Sequence, residues 1–481
     1  MEILWISGLL LVSVIALIIY RTIRFKPPVV EATESPNALT PALDEARIIS
    51  HLQEMIRCKT VSYHDQSKMD AQAFKAFKDL LKMQYPLINA TCTYEEVGER
   101  GILFHWKGKQ SDASVVLMSH YDVVPVNEDL WSKPPFEGVY EEGAVWGRGT
   151  LDTKSTLLAT MESVEYLIGK GFQPEDDIYL AFSGDEEISG MSAPAIVQTL
   201  KERGIHPKLV LDEGGAVVEK VFPGVVKPCA LIGVGEKGYM DVILEIDGKG
   251  GHSSAPPART LVGELAAAVV KLEKSPFRAV FTPAVKEMFE TLGRHSNFFY
   301  RLIFANLWCF APTLKWLLRR QGGEMNAMIR TTIAPTMMQG SSAFNVMPPK
   351  ASVGINLRLL GTDTVESAIG YIQDVIDYSQ IKLTVVESRN ASPFASTKSE
   401  SWQLVKEAIE ATWHDVIVSP YLMMAASDSR HYCEISENVL RFSAMTLSKA
   451  ERELIHGNDE RITVSALMES VSFYVRLIEK L

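Results

Sequence analysis

The chain has 481 residues, 47% of them hydrophobic and 22% charged, which is enough for two or three domains and too apolar for wholesale disorder. Its 48 Lys and Arg against 59 Asp and Glu leave a net charge of -11, so no global cationic field exists to hold nucleic acid. Five cysteines, Cys58, Cys92, Cys229, Cys309 and Cys433, lie far apart without CxxC spacing. That excludes a disulfide scaffold and a cysteine-rich zinc module, and it reads as five buried small hydrophobes.

The N-terminus runs from Ile3 to Tyr20 without a charge, and Arg21, Arg24 and Lys26 follow at once. Eighteen apolar residues just suffice to cross a bilayer as a helix. Glu2 stands where a cleaved signal peptide would carry positive charge, and Tyr20-Arg21 stand where it would carry small residues. An uncleaved single-pass anchor over 1–26 is therefore expected. The basic cluster favours a cytoplasmic body, but large domains translocate against that bias, so the side is left open. Residues 27–43, with four prolines and no apolar period, read as a tether.

From 44 to 232 helical and strand patterns alternate, the grammar of an α/β domain around a largely parallel sheet. Amphipathic runs cover 46–57 and 74–81, and strands are expected at 114–118, 178–182 and 209–211. The clearest helix spans 153–168, with Leu157, Met161, Val164 and Ile168 on one face and Asp152 where its first turn opens. From 233 to 392 the order becomes strand (239–246), helix (260–272), strand (327–335), strand (351–359), helix (365–378) and strand (382–387). That βαββαβ order predicts an inserted ferredoxin-like module. It is interrupted over 276–325 by a segment holding Phe298, Phe299, Phe304, Trp308, Phe310 and Trp316. Two readings stand for it: a helical hairpin packed on the module, or an exposed surface for acyl chains, membrane or a second subunit. The first α/β pattern resumes over 393–481 and ends in a helix at 464–477.

Four polar runs each follow an ordered segment: Ser119-His120-Tyr121-Asp122, Gly147 to Asp152, Ser183-Gly184-Asp185-Glu186-Glu187, and Leu211-Asp212-Glu213-Gly214-Gly215. In an open α/β sheet such runs meet beyond the carboxyl ends of the strands. So many carboxylates in one cleft suppress one another's ionisation unless a divalent cation is present. A histidine and carboxylate set without cysteine suits zinc, with manganese or cobalt as substitutes.

Taken together, His120-Tyr121-Asp122-Val123-Val124-Pro125, Gly147-Arg148-Gly149 with Asp152-Thr153-Lys154, Asp185-Glu186-Glu187, Gly250-Gly251-His252-Ser253-Ser254 and Ile455-His456-Gly457 resemble the di-zinc aminoacylase and carboxypeptidase family of metallopeptidases. The resemblance covers about 45–481. Ser427 to Tyr432 and the apolar insert look like the branch of carboxypeptidase S and the N-fatty-acyl-amino-acid synthase/hydrolases. It implies that Asp152 bridges two metals, that His120 and Asp212 complete one site and that Glu187 and His456 complete the other. It also implies Glu186 as general base, with Asp122 holding the far ring nitrogen of His120. His252 would reach a catalytic site, across a homodimer, to stabilise the oxyanion, which makes the module a lid and dimerisation domain. Asn345, Arg430 and Arg358 are the candidates for binding a substrate carboxylate. One departure is that Asp459 follows Asn458 where the branch tends to carry glutamate.

The expected activity is a membrane-tethered, two-zinc hydrolase. Its substrates are N-acyl amino acids, in either direction, or short peptides losing a C-terminal residue. The rival is a non-catalytic, membrane-anchored binding protein on the same scaffold. The intact ligand set and Glu186 weigh against the rival.

Overall fold

A computed structural model describes residues 2–28, 41–110, 113–220 and 222–481. Most of the expected tether therefore lies outside the described residues. The larger of the two main sheets has eight strands, in the spatial order Thr93–Val97, Gly101–Trp106, Asp177–Ser183, Ser114–His120, Leu209–Val218, Val439–Leu447, Cys229–Glu236 and Ile417–Met423. Its centre is parallel, because Ser114–His120 pairs in parallel with both neighbours and Val439–Leu447 in parallel with Leu209–Val218. The sheet as a whole is mixed, which corrects the largely parallel expectation. Only residues 98–100 join the first two strands, too short for anything but an antiparallel hairpin, and Cys229–Glu236 runs antiparallel to Leu209–Val218.

The helix Lys154–Gly169 begins one residue after the predicted start and is buried nearly all round, with Leu157, Met161 and Val164 fully enclosed. The helix Val464–Ile478 packs along it and shares its core. Lys154 enters that core by donating Nζ hydrogen bonds to the carbonyls of Met55 (3.0 Å) and Cys58 (2.8 Å). Its pKa is pushed down to about 8 by burial.

The second sheet is antiparallel, in the order Thr332–Gln339, Lys350–Leu359, Gly238–Asp247, Lys382–Arg389, with the helices Leu261–Lys274 and Val365–Ile376 closing a separate apolar core. One predicted strand moves. Residues 327–331 do not extend, since Met328 and Ile329 are buried in a third cluster, and the strand starts at Thr332. Pro335, which lacks a donor, sits on this edge strand beside a register shift, where the ladder tolerates it.

The insert forms the helices Pro283–His295, Phe298–Ala305 and Leu307–Gln321 with a short turn of helix at Gly323–Ala327. It is not a hairpin on the ferredoxin-like module. Val285, Met288, Phe289 and Leu292 share a core with Ile417 and Leu422 of the large sheet's edge strand. The cysteines also depart from expectation: Cys92 and Cys229 are buried, Cys58 and Cys433 half-buried, and Cys309 exposed. The N-terminal helix Glu2–Arg24 contains one stretch, Trp5–Arg24, long and apolar enough to cross a membrane.

Candidate active site

The strand Ser114–His120 ends on His120, the neighbouring strand Asp177–Ser183 leads into Asp185-Glu186-Glu187, and the parallel ladder to Leu209–Val218 stops at Leu211, just before Asp212-Glu213. Three polar runs thus leave one edge of the parallel sheet together. The fourth, Gly147 to Asp152, reaches them from the short strand Ala144–Trp146. Gly149 has φ +90, and a Cβ there would meet Val123 Cγ1 at 2.7 Å. At Gly215 a Cβ would lie 1.7 Å from the Leu231 carbonyl oxygen, so only glycine lets the site strand approach its neighbour.

Asp152 is the centre. Its Oδ1 lies 2.9 Å from His120 Nε2 and its Oδ2 lies 3.1 Å from His456 Nε2. Glu213 Oε1 is 3.5 Å from His120 Nε2, and Glu187 Oε2 is 3.0 Å from His456 Nε2. Two groups result, His120-Asp152-Glu213 and Asp152-Glu187-His456, which share one carboxylate through separate oxygens. His456 holds a left-handed backbone, φ 59, a conformation kept where surrounding structure imposes it.

The first group holds Glu213 where the resemblance implied Asp212. Neighbouring side chains on a strand point to opposite faces, so the two acids cannot both face His120. Glu213 does, while Asp212 Oδ2 accepts the backbone N–H of Ser429 at 3.0 Å. Asp122 faces the far ring nitrogen of His120. His120 Nδ1 donates to the Asp122 carbonyl oxygen at 3.0 Å, with the carboxylate Oδ1 further off at 3.4 Å. The carboxylate itself accepts the backbone N–H groups of Glu186 (3.1 Å) and Glu187 (3.2 Å) and so fixes the Glu-Glu turn.

Residues given no role from sequence complete the surroundings. Glu460, fully buried, accepts from Arg148 Nη1 (2.6 Å) and from the backbone N–H groups of Gly149 (3.0 Å), Leu151 (2.6 Å) and Asp152 (3.2 Å). Arg148 Nη2 in turn donates to the Gly457 carbonyl at 2.7 Å. This knot ties the loop carrying Asp152 to the loop carrying His456. The glutamate missed at position 459 therefore stands one residue later, and Asp459 instead accepts from Ser132 N–H and Oγ. Asp428 is buried beside Glu186, close enough to oppose its ionisation.

The charges fit a divalent cation. Burial, then Asp428, Glu213 and Glu187, push Glu186 well above the usual carboxylate range, and burial with Asp152 pushes Glu213 up to about 8. Burial opposes ionisation of Asp152, yet hydrogen bonds from His120 and His456 hold its carboxyl well below the usual range. Among the described residues no Lys or Arg pairs with Asp152, Glu187 or Glu213, and Glu187 Oε1 is buried without a partner. Carboxylates paired to imidazoles alone, with no Lys or Arg partner among the described residues, are the donor set a cation of zinc type takes up.

His252, Asn345 and Arg358 are not gathered here. His252 and Asn345 are exposed on the ferredoxin-like module, where His252 Nδ1 accepts from Ser254 N–H (3.1 Å) and the Asn345 carbonyl accepts from Ser253 N–H (3.1 Å). Arg358 stacks on Tyr239, 4.7 Å from the ring centre, with Arg389 over the same ring. Arg430 lies nearer the site, donating Nη1 to the Ser427 carbonyl at 2.6 Å two residues from Asp428.

Two histidines and three carboxylates gathered at the ends of parallel strands, with Glu186 adjacent to them, define a metal-dependent amide hydrolase. The family model for peptidase family M20/M25/M40 matches residues 116–480, and the chain belongs to that family. It is 34% identical to a probable carboxypeptidase S-like 2 of Dictyostelium discoideum over 98% of this chain and 92% of that one. It is 33% identical to the N-fatty-acyl-amino acid synthase/hydrolase PM20D1 of Xenopus tropicalis, over 98% and 93%. The fold is similar to that of an M20 family metallo-carboxypeptidase from Sulfolobus solfataricus, with TM-score 0.67, 16% identity and coverage of 91% of this chain and 99% of that one.

Proposed function

We propose that this hydrolase acts on N-acyl amino acids whose acyl group is long and apolar, cleaving or forming the amide bond. The observation that carries the reading is a cavity of about 230 Å³ beside the site. Its lining includes Gly214 and Gly215, next to Glu213, and Ile455, next to His456, while Met288, Leu292, Met325 and Met328 come from the insert. Methionines adapt to flexible apolar guests. The likeness to an N-fatty-acyl-amino acid synthase/hydrolase supports the same substrate class.

In this reading two divalent metals, zinc in the first place, would be held by His120, Asp152 and Glu213 and by Asp152, Glu187 and His456. Bound there, they supply Lewis acidity and lower the pKa of water. Glu186 takes the proton of the attacking water and returns it to the leaving nitrogen. Asp122 holds Glu186 in place through its backbone N–H. His252, remote within its own chain, donates to the oxyanion of a second subunit, and Arg430 pairs with the free carboxylate of the amino acid, Asn345 and Arg358 being the lesser candidates.

A panel of N-acyl amino acids and dipeptides, read by product mass spectrometry, tests the reading. Each methylene buried in the cavity is worth about 0.8 kcal/mol, so kcat/KM rises roughly fourfold per methylene until the cavity is full. A Leu292→Trp variant, which fills the cavity, lowers kcat/KM for long chains and spares acetyl substrates. Flat chain-length dependence with dipeptides preferred would assign the protein to peptide trimming instead.

The same proposal places the protein in a membrane through Trp5–Arg24. Full-length protein then stays with the pellet on alkaline carbonate extraction, at its full unprocessed mass. Release by carbonate, or a chain trimmed near residue 25, would refute the anchor.

A further inference from the structure

The N-terminal helix is not merely tethered to the body; its last turns are built into the insert. Thr22 is 1% exposed and Asn306 is fully buried. Asn306 Nδ2 donates to the Ile18 carbonyl and to Thr22 Oγ1, both at 3.2 Å, and Arg21 Nε donates to the Ala305 carbonyl at 3.2 Å. One turn on, Arg294 Nη1 donates to the Lys26 carbonyl at 3.2 Å, and its guanidinium covers Phe25 at 4.5 Å. Buried hydrogen bonds of this kind hold two helices in one geometry. Whatever phase surrounds the apolar helix therefore ends against the helices Phe298–Ala305 and Leu307–Gln321.

Those two helices expose the wrong residues for water. Phe298, Phe299, Trp308, Trp316 and Leu317 are each more than half exposed. Trp308, Pro312, Trp316 and Arg320 recur every four residues and so share one stripe, and the Arg320 guanidinium lies over Trp316 at 5.0 Å. In a chain of net charge -11, residues 296–321 hold no Asp or Glu, but do hold Arg301, Lys315, Arg319 and Arg320. Tryptophan with arginine and lysine, free of acids, is the composition that settles at the level of lipid headgroups, and anionic lipid adds to the attraction.

We infer that the outward face of the insert, Phe298, Phe299, Trp308 and Trp316, is embedded in the headgroup layer of the same bilayer that the N-terminal helix enters. The inference rests on reading that helix as a span. It seats the body on the membrane, with the helix Pro283–His295, which supplies Met288 and Leu292 to the cavity, packed against the lipid-facing helix Phe298–Ala305. An acyl chain then passes from bilayer to cavity along apolar surface.

Cys309, exposed next to Trp308 and the exposed member of the five cysteines, provides the probe. Full-length protein carrying an environment-sensitive fluorophore on Cys309 is reconstituted into phosphatidylcholine vesicles, with and without phosphatidylserine, and Cys309→Ser protein gives the background. The expected result is a blue-shifted emission, lost iodide quenching, and quenching by lipids carrying a nitroxide at shallow depth. Emission quenched by iodide, in protein that resists carbonate, would overturn the inference while leaving the anchor intact. Emission shielded from both iodide and nitroxide would overturn it in favour of a second copy covering the face. Protein released by carbonate would remove both the anchor and the inference.

Discussion

In purified Glu186→Gln protein, turnover falls by about 10²–10⁴-fold while metal content stays at the wild-type value. The substitution removes a proton acceptor and no member of the two ligand groups. Its backbone N–H, which donates to Asp122 at 3.1 Å, is kept, so the turn that presents Glu187 is undisturbed. Asp152→Ala is the opposite case. It removes the carboxylate whose two oxygens face His120 and His456, so metal and activity disappear together. Elemental analysis alongside single-turnover kinetics separates the two. Near-normal turnover in Glu186→Gln protein would end its role as base.

His252→Ala costs on the order of 100 to 1000-fold in turnover, the usual loss of an oxyanion donor, with metal content unchanged. The His252 side chain is exposed and, among the described residues, hydrogen-bonded only to Ser254, so the folded body has little reason to miss it. In the proposed dimer, so remote a residue would reach the site of a second subunit. Mixing Glu186→Gln with His252→Ala protein under subunit exchange then creates sites with both an intact Glu186 and an intact His252, and activity partly returns. Full activity of His252→Ala alone would dismiss the residue. Inactivity that mixing never relieves, with exchange verified, would place the donation within one chain.

The candidate site shows what a sequence states and what it withholds. Polar runs directly after apolar strands announce themselves, and they group His120, Asp152 and Glu187 from sequence alone. Which of two adjacent acids faces the cleft depends on strand phase near an irregular ladder, and Asp212 and Glu213 are indistinguishable by composition. Glu460 carried no signal beyond the second of two adjacent acids in a turn; its importance comes from Arg148, which lies 312 positions earlier. The antiparallel pairings were hidden for a related reason, since a buried apolar strand reads the same in either direction. The insert's apolar content was plain, but apolar helices do not specify which surface they cover, and the edge strand Ile417–Met423 was available to them.

The knot between Arg148 and Glu460 also bears on how the molecule comes into being. During synthesis the segments bearing His120, Asp152 and Glu187 emerge early, and the whole ferredoxin-like module and the apolar insert follow before Glu460 leaves the ribosome. Until then Gly149, Leu151 and Asp152 lack the acceptor that orders their amides, and the second ligand group lacks His456. The site is thus finished by one of the last loops made, after the intervening module has had time to fold as a unit. An incomplete chain cannot hold the assembled metal centre, and contacts between residues so distant in sequence make the closing step a slow one.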